Sequence, residues 1–320
     1  MTNTTLEWNN VNYSIRQGFL MKPHKVIKDL NLKIPEGFSL GLVGSNGAGK
    51  TTTIKLAAGI LKPDTGSVTI NGKHVFGTDT RSCVGFLTES QYLYPHLKLN
   101  EWLKMLGYLS GMTTSDLTSR IGYLVDKFEL SHKANSLLSA MSKGEMQRAG
   151  FVQAFLHNPK ILMLDEPMSG LDPLWRGNIQ DILLDFKKSG GTLLFSSHIM
   201  SDVERLSDTI AVIVGGTIRW QGNMGDLPVS ETGSGKQYQA IFHIEDSVDT
   251  ATGDGLKNDL KFDNLKSTLK GCNIERQPDG SFFVKLDHDS KQKLIEVAGQ
   301  GGISIDSLTS VYPNFKEMFK

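Results

Sequence analysis

Residues 38–51, FSLGLVGSNGAGKT, constrain this chain more than any other stretch. A short apolar run ends in glycine, and the segment from Gly44 onward fits G-x-x-x-x-G-K-[ST], followed by helix-favouring TTIKLAAGIL. Strand, glycine loop and helix in that order form a phosphate-binding turn. Gly44, Gly47 and Gly49 allow the backbone over Ser45, Asn46 and Ala48 to curl until successive N–H groups point at phosphate oxygens. Lys50 adds a point charge for the β- and γ-phosphates, and the Thr51 hydroxyl is placed to ligate Mg²⁺, with Thr52 beside it. GSGK at 233–236 lacks the first glycine, the hydroxyl residue and a preceding strand, so it reads as linker.

Apolar strand-like runs alternate with helical ones up to about residue 225: SVTING (67–72), ILMLDEP (161–167), GTLLFSSH (191–198). TIAVIVGGTIRWQG (209–222) reads as a hairpin turning at Gly215-Gly216. Strands separated by helices imply a parallel sheet covered on both faces. Between Tyr94 and Lys133 that pattern gives way to apolar residues at three- and four-residue steps, which predicts a helical subdomain running over about 94–157. The expected organisation is a domain at 1–227, a Pro/Gly/Ser-containing linker at 228–238 and a small accessory α+β domain at 239–320. In the accessory domain, YQAIFHI, GSFFVKL and GGISIDSL are the expected strands, interleaved with helical LKFDNLKSTLKG and DSKQKLIEVAGQ.

ILMLDE places Asp165 and Glu166 at the end of a strand apolar on both faces, where α/β sheets bind ligands. By itself an acid pair there equally serves to cap the next turn. With a phosphate loop in the chain, Asp165 suits a Mg²⁺ site and Glu166 suits a base that polarises an attacking water. His198 closes the next strand candidate, within reach of the same phosphate. In SAMSKGEMQRAG (139–150), Ser142 and Glu145 form a capping box, which also presents a hydroxyl and free N–H groups to an anion.

Composition narrows the partners. Lys+Arg and Asp+Glu are both 34, so no overall charge draws the chain to nucleic acid or an anionic surface. Cys83 and Cys272 lack disulfide or metal spacing and read as thiols of a reducing cytosol. MTNTTLEWNN lacks the pattern of a signal peptide, and the apolar runs are far shorter than the roughly 20 residues of a membrane span. A cytoplasmic protein is expected. Any work at a membrane needs another chain to span it.

Over about residues 5–225 the chain resembles the nucleotide-binding subunit of an ATP-binding-cassette (ABC) transporter. The resemblance rests on six motifs in order: the phosphate loop at 44–51, a glutamine-type loop near 89, the signature at 141–145, the acid strand at 161–166, SGLD at 169–172 and the histidine at 198. It implies a P-loop NTPase of the ABC type: a mostly parallel core sheet, an antiparallel N-terminal β subdomain and a helical signature subdomain, here with the C-terminal α+β domain added. It implies ATP and Mg²⁺ as ligands, Asp165 as the Mg²⁺ acid, Glu166 as catalytic base, and His198 as the γ-phosphate histidine. Ser169 to Asp172 match the loop that communicates across a dimer, and Tyr13 matches the aromatic that stacks on adenine. Ser142 and Gly144 would cover the ATP held by a partner protomer in a head-to-tail homodimer or paired subunit. An integral membrane permease completes the expected assembly, with this chain peripheral on the inner face of the membrane and no nucleic acid expected.

The match has departures. The signature reads Met141-Ser142-Lys143-Gly144-Glu145 rather than the commoner Leu-Ser-Gly-Gly-Gln. The glutamine-type loop reads GFLTESQYLYP, with Glu89 at the expected place and Gln91 two residues on as the other claimant to the Mg²⁺-proximal role. Both substitutions resemble those of the branch of drug, antibiotic, polysaccharide and multi-function exporters, which implies export. The alternative is a non-transport ABC ATPase, regulatory or acting on nucleic acid or ribosomes. The long inserted coiled coil of DNA-repair members and the paired cassettes of ribosome-acting ones are both missing from this sequence.

Overall fold

The computed structural model describes residues 4–17, 22–89, 94–223, 226, 237–244, 265–269, 271–299 and 303–311. Gln91, linker residues 228–236 and the closing residues 312–320 lie outside them. The chain divides into two compact units, Met1–Leu227 and Pro228–Lys320.

The first unit opens with two long antiparallel strands, β1 (Thr4–Gln17) and β2 (Lys22–Pro35). Then come β3 (Ser39–Val43), α1 (Lys50–Ala57), β4 (Thr65–Ile70), β5 (Lys73–His74), α2 (Thr78–Arg81) and β6 (Val84–Leu87). Three longer helices follow: α3 (Leu99–Leu109), α4 (Thr114–Lys127) and α5 (Lys143–Phe155). The remainder is β7 (Ile161–Leu164), α6 (Pro173–Lys188), β8 (Thr192–Ser197), α7 (Met200–Leu206) and the hairpin β9 (Thr209–Val214) and β10 (Thr217–Gly222).

Six of these strands form the core sheet in the order β10-β9-β3-β8-β7-β6, parallel except for the β9–β10 hairpin. β3, β7 and β8 are buried at every residue, as a sheet covered on both faces requires. Gly215 and Gly216 have φ of 55° and 84°, the left-handed pair that a two-residue hairpin turn demands. A second, antiparallel sheet has the order β2-β1-β4-β5. Leu6, Trp8, Ile27 and Val68 from it join Leu40, Ile54 and Ile213 in one core cluster. The Trp8 indole N–H also donates to Thr53 O of α1 at 3.3 Å, so the helix after the phosphate loop is anchored to the β subdomain.

The helical segment packs on its apolar stripes. Leu99, Trp102 and Leu103 of α3, with Leu117, Ile121, Leu124 and Val125 of α4, are buried at helical spacing. Phe128 stacks on Phe151 of α5 at 5.9 Å, and the Arg148 guanidinium lies 4.4 Å from the Trp175 ring centroid of α6. The base of α5 is therefore fixed to the core domain.

In the second unit, β11 (Gln237–Ile244), a helical turn at 265–268, β12 (Ile274–Arg276), β13 (Phe282–Leu286), α8 (His288–Gly299) and β14 (Ile303–Val311) follow one another. The sheet order is β12-β13-β11-β14, every neighbour antiparallel, which is the β-α-β-β-α-β arrangement. Tyr238, Phe242, Leu265, Val284 and Leu294 are buried in its core. β12 went unread in the sequence because Ile-Glu-Arg carries a single apolar residue.

Candidate functional site

The phosphate loop joins β3 to α1 by the backbone geometry its glycines permit. Gly47 and Gly49 have φ of 80° and 112°, values that cost an L side chain strain. Gly44 is glycine for space: a methyl group there would sit 2.4 Å from Ile213 O of the neighbouring strand. Lys50, the first residue of α1, is 6% exposed, and its Nζ donates to Gly44 O at 2.9 Å. The lysine thus closes the loop around its own charge.

Register delivers the acids. Leu164 pairs with Phe195, so the next residues, Asp165 and Ser196, come side by side at the carboxyl ends of β7 and β8. Ser196 Oγ donates to Asp165 Oδ1 at 2.7 Å and accepts the Glu166 backbone N–H at 2.8 Å. Glu166 adopts φ 47°, a left-handed conformation unusual for glutamate and typical of strained functional positions. Its carboxylate lies 3.6 Å from Lys50 Nζ through Oε1 and 2.8 Å from His198 Nδ1 through Oε2. A carboxylate can only accept, so His198 presents Nδ1–H to it and leaves Nε2 directed elsewhere.

These groups open on a cleft of about 730 Å³, within the range of small-molecule sites. Ser45, Asn46, Gly47, Gly49, Lys50, Thr51, Thr52, Glu89, Glu166 and His198 line it, as the sequence leads one to expect, together with Ser169. Asp165 sits just behind, 2% exposed. Gly44 contributes its carbonyl to Lys50, and Ala48, 4% exposed, packs in the core while its backbone bonds back to Ser45 and to Gly216. The opposite wall comes from the β subdomain: Ile15, His24, Lys25, Val26 and Lys28. Three cationic or titratable side chains there were not legible in the sequence. Among the described residues Tyr13 does not line the cleft; it pairs with Ile27 and packs, half-buried, against the core cluster.

Three other expected site residues stand apart from this cleft. Asp172 caps α6, accepting the Trp175 N–H at 2.9 Å. Ser142 caps α5 in a full capping box, with Glu145 N–H to Ser142 Oγ and Ser142 N–H to Glu145 Oε2. The Ser142 backbone bond, opposed by desolvation and helped by Lys133 and the Ser142 hydroxyl, holds the Glu145 carboxyl below its ordinary pKa. Gly144 lies beside the 169–172 loop, and a methyl at Gly170 would meet Lys143 Cε at 2.7 Å, so the lysine stem lies over Gly170. Neither Ser142 nor Gly144 lines the cleft beside the phosphate loop of its own protomer.

Among the described residues no three His, Cys, Asp or Glu converge. Mg²⁺ needs no such cage, since it commonly arrives on substrate phosphates and adds one or two carboxylates. The donor set fits it: the Thr51 hydroxyl and Glu89 on the cleft wall, and buried Asp165 oriented by Ser196.

No helix among the described residues is long and apolar enough to cross a membrane.

Residues 27–169 match the ABC transporter family model. An uncharacterized ABC transporter ATP-binding protein of Nostoc sp. is 35% identical over 290 residues, which is 90% of this chain and 80% of that protein. The linearmycin resistance ATP-binding protein of Bacillus subtilis is 32% identical over 205 residues, 63% of this chain and 66% of its own length. A solved structure of an ATP binding subunit of an ABC transporter superposes with a TM-score of 0.62 at 29% identity, covering 69% of this chain and 91% of the other. The phosphate loop, the strand-end acids and these similarities lead to one conclusion: the chain belongs to the ABC transporter family, as an ATP-binding subunit.

Proposed function

We propose that the chain hydrolyses ATP in this cleft, as one half of a head-to-tail dimer, and so drives export through a separate membrane-spanning subunit. The observation that carries the reading is the placement of Glu166 between Lys50 and His198 at the mouth of the phosphate loop.

The roles follow from that placement. The loop N–H groups and Lys50 bind the phosphates, and Lys50 offsets the charge that develops on the γ-phosphoryl group. Glu166 takes a proton from water as the water oxygen bonds to the γ-phosphorus and the bridging bond to ADP breaks, giving ADP and phosphate. His198 Nδ1–H holds the carboxylate in line. Thr51, Asp165 and Glu89 would hold Mg²⁺, which supplies charge neutralisation on the phosphates when bound. Ile15 gives the nucleotide an apolar wall, and Lys25 and Lys28 place positive charge nearby. Tyr13 would stack on the adenine by turning its half-buried ring out of the core cluster.

A second copy is needed to use the capped end of α5. Ser142 and Gly144 offer a hydroxyl and N–H groups to an anion, yet do not line the cleft of their own protomer. Export is supported by Glu89 and Glu145, the two departures that resemble the exporter branch, and by a relative named for linearmycin resistance. The test is purification of the chain from native membranes. A membrane-spanning protein that co-purifies and whose presence raises ATP turnover is the expected result. Sedimentation with ribosomes or nucleoid instead contradicts the transport reading.

A further inference from the structure

The strained backbone of Glu166 is gripped from an unexpected direction. Ser196 Oγ accepts its N–H, and its own carbonyl accepts the Ser169 N–H at 3.0 Å. The next peptide unit is held by Gln147: the side-chain amide donates from Nε2 to Pro167 O at 2.8 Å. Gln147 is 4% exposed and lies on α5, five residues after the Ser142 cap. The neighbouring Arg148 donates to Phe128 O at 3.1 Å and stacks over Trp175, so this turn of α5 is fixed on both sides.

From this geometry we infer that Gln147 is a positioning residue for Glu166, and that it ties the aim of the base to the position of α5. A left-handed glutamate is kept only where its surroundings over-determine it. One of the bonds that does so comes from the helix whose capped end lies outside its own cleft and is proposed above to meet a partner's nucleotide. When α5 is drawn onto that nucleotide, the amide moves with it, and the peptide after Glu166 is pulled into line. Base alignment in one protomer then reports what its signature helix has bound. The inference rests on the hydrolytic dimer proposed above.

The experiment is steady-state ATP turnover by the full chain carrying Gln147→Met or Gln147→Glu. Methionine keeps the volume and removes the donor. Its kcat should fall about 10- to 100-fold, the cost of slight misplacement of a reacting group, with KM for ATP unchanged. Glutamate at this buried position has its pKa raised by desolvation, so at low pH its protonated carboxyl can donate to Pro167 O. The ratio of Gln147→Glu to wild-type kcat should therefore rise as pH falls, while the Gln147→Met ratio stays flat. If the methionine variant fails to fold, the glutamate pH profile decides alone. Wild-type kcat in the methionine variant, a loss confined to KM, or a pH-independent glutamate ratio would each overturn the inference. Wild type and Glu166→Gln run in the same assay keep the two claims apart. Turnover that Glu166→Gln abolishes while the Gln147 variants match wild type removes only the role of Gln147. No turnover in wild type removes the hydrolytic reading and this inference with it.

Discussion

His198 Nδ1 lies 2.8 Å from Glu166 Oε2, although the two residues end different strands and are 32 positions apart. The histidine is 59% exposed at its side chain and the glutamate only 11%. The solvent-facing ring therefore lies against a nearly buried carboxylate, placed to hold it still.

The first prediction concerns that pair. His198→Ala should lower kcat about 10²- to 10⁴-fold, the range for losing a positioned proton-handling group, and leave ATP affinity close to wild type. Equilibrium nucleotide binding measured beside turnover checks it. A loss of affinity in step with rate would place His198 in ground-state binding instead.

Gly44→Ala should weaken ATP binding and lower thermal stability together. A methyl group 2.4 Å from Ile213 O forces either the loop or strand β9 to move, and either shift would displace the loop proposed to hold the phosphates. Unchanged binding in the alanine variant would show that the loop has slack that its packing does not suggest.

The capping box gives a pH prediction. The folded-state pKa of Glu145 is depressed, chiefly by the Ser142 backbone bond. Its contribution to stability is therefore complete above the unfolded glutamate pKa, about 4.3, and is lost as pH falls through the lower folded value. Glu145→Gln should cost stability at neutral pH, and the difference from wild type should shrink on acidification below about pH 4.3. Denaturant melts at several pH values measure it. A pH-independent difference would mean that the carboxylate is not the operative group.

Lys143 carries a charge-specific prediction. It is exposed at the first position of α5, with its stem across Gly170. Lys143→Gly should weaken ATP-dependent pairing of two copies at low salt, and the effect should fade near 1 M salt, where the screening length is about 3 Å. Sedimentation across a salt series shows it. A salt-independent effect would make Lys143 a packing residue that only shields Gly170.

The contiguous parts of this site were legible because their chemistry is written in adjacent residues. The glycines, Lys50 and Thr51 share one loop, and Asp165-Glu166 share one strand end. What escaped was whatever depends on register. β1 shifts register between Trp8 and Val11, between Val11 and Tyr13, and again between Tyr13 and Ser14. Each single-residue slip exchanges the faces of a strand. The slip between Tyr13 and Ser14 passes over Val26 of β2, and Ile15 lines the cleft while Tyr13 packs against the core cluster, a difference that alternation along β1 does not predict. Ser196 and Gln147 escaped for a related reason. Their partners are 30 and 20 residues away, and a serine in a buried strand or a glutamine in a helix carries no local mark of that contact. The accessory unit showed most of its strands but not their order, since antiparallel pairing leaves no trace in a short strand such as β12.

In the proposed function, Glu166 is the base of an ATP-hydrolysing site completed by a second copy. The most direct measurement is ATP turnover and ATP-dependent dimerisation of wild type and Glu166→Gln under identical conditions. Wild type should turn over ATP, whereas the glutamine variant should lose turnover yet accumulate as an ATP-bound dimer. Equal turnover in the two proteins, or a variant that stays monomeric with ATP bound, would contradict it.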